Sequence, residues 1–186
     1  MGKKRIIETR RLILRELNFD DAEAVFDMRS NDNVNRYIVR SSMENIEDAI
    51  SLIQKTLEAE RMGHACAFAA IRKNGKSQII GTCGLTDINH SDNTAELGGE
   101  MAPEYWGNHL ALEAVSAIVH YGFDNLNLKR VIAKFDSDNR GVTHLLQILG
   151  FSENQRLENH FEIDGTPKDL LIYTLYTLDK SDFKSL

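Results

Sequence analysis

Residues Glu100–Ala114 read as the end of a strand, a turn closed by Pro103, and a tight turn at Gly107 that opens directly into an apolar helix. Leu110, Ala114, Val115, Ile118 and Tyr121 form the apolar stripe of that helix. A chain that passes so abruptly from strand to helix leaves backbone N–H groups unpaired at the helix N-terminus. Those amides and the helix dipole both favour negative charge, so the turn is a site for a pyrophosphate or another anion.

The elements around it alternate in the same manner. Arg11–Leu17 alternates polar and apolar residues as a half-buried strand does. Asn18 or Asp20 can cap a helix through Ala22, Val25, Phe26 and Met28. Ser41 and Glu44 offer a capping box for a second helix, which carries Ile46, Ile50, Ile53 and Leu57 and ends near Gly63. Strands are predicted over His64–Arg72 and Ser77–Ile88, joined through Lys73-Asn74-Gly75-Lys76, and over Thr94–Met101. A short strand follows over Arg130–Phe135, then a helix over Asn139–Leu149 closed by Gly150. A last hairpin turns at Asp164-Gly165. The order is β-α-α-β-β-β-α-β-α-β-β, without linker or repeat. It predicts a single α/β domain over residues 1–186, with a mixed, mostly antiparallel sheet flanked by helices.

Composition narrows the partners. The 186 residues suffice for one well-buried core. Net charge is −6, which argues against a general nucleic-acid binder and leaves a cationic amine acceptable as a substrate. No apolar run approaches the roughly 20 residues needed to span a bilayer. The basic start Met1-Gly2-Lys3-Lys4-Arg5 precedes too short an apolar segment for a signal peptide. Cys66 and Cys83 have neither metal-ligand nor disulfide-framework spacing and read as buried free thiols. A cytoplasmic protein without a metal is expected.

Several short stretches, in order, resemble the GNAT superfamily of N-acetyltransferases, and within it the RimJ/RimL (ribosomal-protein-alanine N-acetyltransferase) branch. They are Thr9–Arg15, Ile80-Gly81-Thr82-Cys83-Gly84, Ala95-Glu96-Leu97-Gly98, Pro103–Gly107, Glu113-Ala114, Asn139 and Leu149-Gly150-Phe151. The resemblance spans nearly the whole chain. It implies a sheet splayed between the fourth and fifth strands, here Thr94–Met101 and Arg130–Phe135. The pantetheine arm of acetyl-CoA would lie in the opening. A primary amine would attack the thioester directly in a ternary complex, without a covalent enzyme intermediate. The partners implied are acetyl-CoA and an amine acceptor, with a small amine and a ribosomal-protein N-terminus among the candidates, in a monomer or homodimer. The competing reading is a catalytically weak or inactive protein of the same fold that binds CoA or a partner.

The residues then take candidate roles. Met101, Trp106, Gly107, Asn108, His109, Leu110 and Ala111 match the cofactor turn of the resembling branch. His109 stands in its central glycine place, where glycine permits close approach and unusual φ. Its imidazole either adds a donor to phosphate or merely replaces the glycine. Glu96, Gly98 and Glu100 share one strand face. Glu100 is the first candidate for general base, through water, and Glu96 the second. Gly98-Gly99 removes side chains where a cofactor could approach closely. Asn139 matches an asparagine that contacts the cofactor arm, and it also suits a helix N-cap. The branch's serine near the CoA sulfur is replaced by Val142, and a tyrosine acid found in other GNAT proteins by Leu146. Thr143 points about 100° away from residue 142, and His144 is a weaker substitute. Lys134 and Arg140 are candidates for the distal phosphate, with solvated charge the plainer alternative. Glu113 is read as stabilising its helix or packing nearby.

Overall fold

The computed structural model describes residues 5–75 and 78–177, arranged as an eight-stranded sheet with helices against it. The strands are β1 (Ile6–Glu8), β2 (Leu12–Glu16), β3 (Cys66–Arg72), β4 (Ile79–Asn89), β5 (Thr94–Met101), β6 (Arg130–Asp136), β7 (Ser152–Ile163) and β8 (Thr166–Tyr176). The helices are α1 (Ala22–Arg29), the single turn α2 (Asp32–Asn35), α3 (Ile46–Arg61), α4 (Leu110–Asn125) and α5 (Arg140–Ile148). Met1–Lys4, Lys76, Ser77 and residues 178–186 lie outside the described residues.

Sheet order is β1-β2-β3-β4-β5-β6-β8-β7, antiparallel except where β5 and β6 run parallel. That parallel pair is joined through α4, as a parallel connection requires a crossover. Alternation along β3 assigns the faces. Cys66, Phe68 and Ala70 join the large core cluster with α4 residues Ala114, Ile118 and Val119. Ala69 packs instead with Val25 and Met28 of α1 and Ala49 and Ile53 of α3. Both cysteines are buried free thiols, and burial pushes them up, Cys66 to about 11 and Cys83 to about 12.

Three local expectations change. β1 is an added strand, and its three residues are too few to show a period. It makes the predicted fourth and fifth strands β5 and β6. The second helix is capped by Asn45 with Asp48, not by Ser41 with Glu44. The Asn45 carboxamide accepts from the Asp48 N–H, and Asp48 accepts from the Asn45 N–H, which closes the box one turn later. α4 begins at Leu110 because Gly107 and His109 both have positive φ. Asn18 caps a 3-10 turn over Phe19–Asp21, and α1, which follows it at Ala22, has no side-chain cap of its own.

Candidate active site

The splay is visible in the strand register. β5 pairs with β6 only over Thr94–Glu96, opposite Arg130–Ile132. Beyond Glu96, β5 stays zipped to β4 as far as Met101 opposite Gly81. β6 stays zipped to β8 as far as Asp136 opposite Leu170. Each half of the sheet keeps its own partners, and a wedge opens between Leu97–Met101 and Ala133–Asp136.

The two glycines of β5 differ. A Cβ at Gly98 would meet nothing within 4 Å, so its face is open. A Cβ at Gly99 would lie 2.7 Å from the Thr82 carbonyl, so Gly99 serves the close approach of β4. Glu96 and Glu100 flank Gly98 on the open face. The Glu100 side chain is 4% exposed, and each oxygen meets a guanidinium: Oε1 to Arg29 Nε at 2.6 Å and Oε2 to Arg40 Nη1 at 2.5 Å. Burial pulls the Arg40 guanidinium below its ordinary range, although Glu100 opposes that. Arg40 Nη2 is buried without a partner among the described residues. Glu96 is 28% exposed and meets Lys134 Nζ at 2.5 Å. Lys134 thus stands over the wedge with a carboxylate partner.

The turn after β5 is built in layers. Trp106 Nε1 donates to the Met101 carbonyl at 2.7 Å, which folds the indole back onto the strand end. The Met101 and Leu110 side chains are buried in the core, so these two residues present backbone to the turn. Asn108 Nδ2 donates to the Trp106 carbonyl at 3.2 Å. Gly107 has φ 73°, and His109 has φ 57° and ψ 17°. His109 therefore holds the left-handed backbone that accounts for a glycine in that place. It occupies the N-cap of α4 without a side-chain cap bond. The first helical turn, Leu110–Leu112, thus receives no side-chain cap from His109, and amides in such a position can receive an anion.

Glu113 does more than stabilise its helix. Its side chain, 9% exposed, accepts from Thr9 Oγ1 and the Arg11 N–H at 2.6 Å each and from Arg11 Nε at 2.7 Å. Burial raises the carboxyl, but the Thr9 hydroxyl, the Arg11 amide and the Arg11 guanidinium together hold it below its ordinary value. The strand over Arg11–Leu17 was legible in the sequence, but the long-range partners of Thr9 and Arg11 were not.

Across the wedge, Asn139 caps α5 through a 3.2 Å bond from the Val142 N–H. Thr143 Oγ1 donates to the Asn139 carbonyl at 3.1 Å, so its hydroxyl serves its own helix. Val142 packs against the core, Leu146 is fully buried, and His144 is exposed. Arg140 lines a cavity of about 400 Å³ with Arg36, Tyr37, Asp138, Asp164 and Lys168, apart from Lys134. His120 Nδ1 bonds the Ser116 carbonyl at 2.8 Å, and Tyr121 packs edge-on to Phe68. Among the described residues no group of three or more His, Cys, Asp or Glu is placed to hold a metal ion, and no helix is long and apolar enough to cross a membrane.

Comparison with known proteins agrees with this geometry. The family model for the acetyltransferase (GNAT) domain matches residues 11–152. The N-acetyltransferase YoaA of Bacillus subtilis (strain 168), itself named as uncharacterized, is 38% identical over 170 residues, covering 91% of this chain and 96% of the relative. The spermidine N(1)-acetyltransferase of Escherichia coli (strain K12) is 30% identical over 152 residues, covering 82% of this chain and 78% of the relative. Mycobacterium smegmatis RimJ in complex with CoA-disulfide shares the fold, with a TM-score of 0.84 at 19% identity over 94% of this chain and 88% of that one. A wedge-split sheet, an uncapped helix N-terminus beside it and these relatives lead to one conclusion: the chain belongs to the GNAT family of acetyl-CoA-dependent N-acetyltransferases.

Proposed function

We propose that this enzyme transfers the acetyl group of acetyl-CoA to a primary amine by direct attack within a ternary complex. The observation that carries the reading is the wedge open at Gly98 on the strand that leads, through the turn at Gly107, into the uncapped α4 N-terminus. The pyrophosphate rests on the Gly107–Ala111 turn, and the pantetheine arm runs past Gly98 towards Asn139. The amine nitrogen forms a bond to the thioester carbonyl carbon, the C–S bond breaks, and the thiolate takes a proton from water. Backbone amides at the wedge edge polarise the carbonyl.

The proton lost by the amine goes to a carboxylate through water, and we assign that role to Glu96 ahead of Glu100. Both Glu100 oxygens are engaged by arginines, whereas Glu96 keeps part of its side chain open. Glu100 instead anchors α1 and the segment before α3 against β5. Two guanidinium groups against one carboxylate make that wall a poor host for a polycation. A peptide N-terminus or a singly charged amine therefore ranks ahead of a polyamine as acceptor. Val142 and Leu146, packed where a proton donor would stand, favour a second reading in which CoA binds and turnover is slow.

Calorimetry with acetyl-CoA tests the first step, and absence of heat together with absence of a thermal shift would sink both readings. Thiol release over a panel of peptides, polyamines and amino sugars then separates them. Glu96→Gln should lower kcat at least roughly a hundredfold, a typical scale for a general base. Glu100→Gln should act mainly on stability. The reverse pattern would overturn the assignment.

A further inference from the structure

Arg11 and the α4 turn are far apart in sequence, yet Arg11 holds two consecutive carbonyls of that turn. Its Nη1 donates to the Asn108 carbonyl at 2.9 Å and its Nη2 to the His109 carbonyl at 3.1 Å. Its Nε is aimed by the buried Glu113 carboxylate, which the first hairpin grips in turn through Thr9 Oγ1 and the Arg11 N–H. Each guanidinium nitrogen thus has a backbone carbonyl or the Glu113 carboxylate as an acceptor.

We infer that Arg11 is a positioning residue for cofactor binding: it aims the amides of the anion turn without touching the ligand. This rests on reading the turn as the acetyl-CoA pyrophosphate site. In a trans peptide the C=O and N–H point in opposite directions. Holding the Asn108 carbonyl against the guanidinium turns the His109 N–H away from Arg11. Holding the His109 carbonyl does the same for the Leu110 N–H. Arg11 also fixes the left-handed backbone at His109, which a residue with a Cβ adopts only at a cost. A rigid planar fork is suited to two adjacent carbonyls at once. A lysine ammonium, a single point charge, keeps the ion pair to Glu113 but not the fork.

The test compares two ligands on wild type and Arg11→Lys. Calorimetry gives the affinity for acetyl-CoA, and displacement titration gives that for S-acetyl-pantetheine, which lacks the pyrophosphate and leaves the turn untouched. R11K should weaken acetyl-CoA by about tenfold and leave S-acetyl-pantetheine within about twofold. Arg11→Gln, which keeps one planar donor, is the second variant should R11K fail to fold, and the same selective loss is expected. An unchanged acetyl-CoA affinity, or an equal loss for both ligands in a folded variant, overturns the inference. Failure of the underlying reading looks different: wild type itself would bind acetyl-CoA no more tightly than S-acetyl-pantetheine.

Discussion

His109→Gly isolates the backbone strain in the turn before α4. His109 has φ 57° and ψ 17°, its side chain makes no cap bond, and the residue is exposed. The left-handed region costs a residue with a Cβ about 1–2 kcal/mol. Glycine removes that cost but loses more freedom on folding, about 0.5–1 kcal/mol. The difference predicts a net gain of about 0.5–1 kcal/mol for the unliganded protein. For a chain of this size that is a rise in Tm of about 1–3 °C. Urea unfolding and a calorimetric scan, both without ligand, measure it. Gly107→Ala supplies the opposite sign: φ is 73° and a Cβ there meets nothing within 4 Å, so strain is added without a clash. With the same offset for chain freedom, that variant should lose a net of about 0.5–1 kcal/mol. If H109G were destabilised by more than about 0.5 kcal/mol, the imidazole would be making a contact worth more than the strain, and the reasoning would fail.

Two further outcomes follow from the same geometry. Gly98→Ala should leave the urea midpoint unchanged yet weaken acetyl-CoA by roughly tenfold, whereas Gly99→Ala, facing the Thr82 carbonyl at 2.7 Å, should lose about 1–3 kcal/mol of stability. Glu113 is held below its ordinary value in the folded protein. Its contribution is therefore full above the unfolded value of 4.5 and is lost as pH falls through the folded value. Unfolding measured from pH 7 down to pH 3 should show a steeper acid loss for wild type than for Glu113→Gln; parallel curves would refute the assignment.

Much of the fold was legible in the chain because its signals are local. Alternation reports strands, and the stripe from Leu110 to Tyr121 reports a helix. The turn at Asp164-Gly165 has positive φ at both residues, as that dipeptide predicts, and Gly150 closes α5 with φ 85°. The strand–turn–helix passage around Gly107 was legible for the same reason, and it carries the proposed anion site. The capping box failed because Ser41–Glu44 and Asn45–Asp48 offer overlapping local solutions, and only the helix that packs Ala49 and Ile53 against Ala69 chooses between them. β1 was invisible because three residues carry no period, and β2 alone defines it.

By itself, then, the sequence determined the order of the elements from β2 onward, the glycine and proline turns, and the abrupt strand-to-helix passage on which the proposed anion site rests. Each depends on residues within a turn or two of one another. Tertiary structure decided which charges meet. Arg29 and Arg40 come to Glu100 from 71 and 60 residues away, and Arg11 reaches the carbonyls of Asn108 and His109 from 97 and 98 residues away. A long polar side chain has no local period and finds its partner only once the core has fixed the backbones on either side. The wedge between β5 and β6 is of the same kind, since it exists only because each strand is more extensively paired on its other edge.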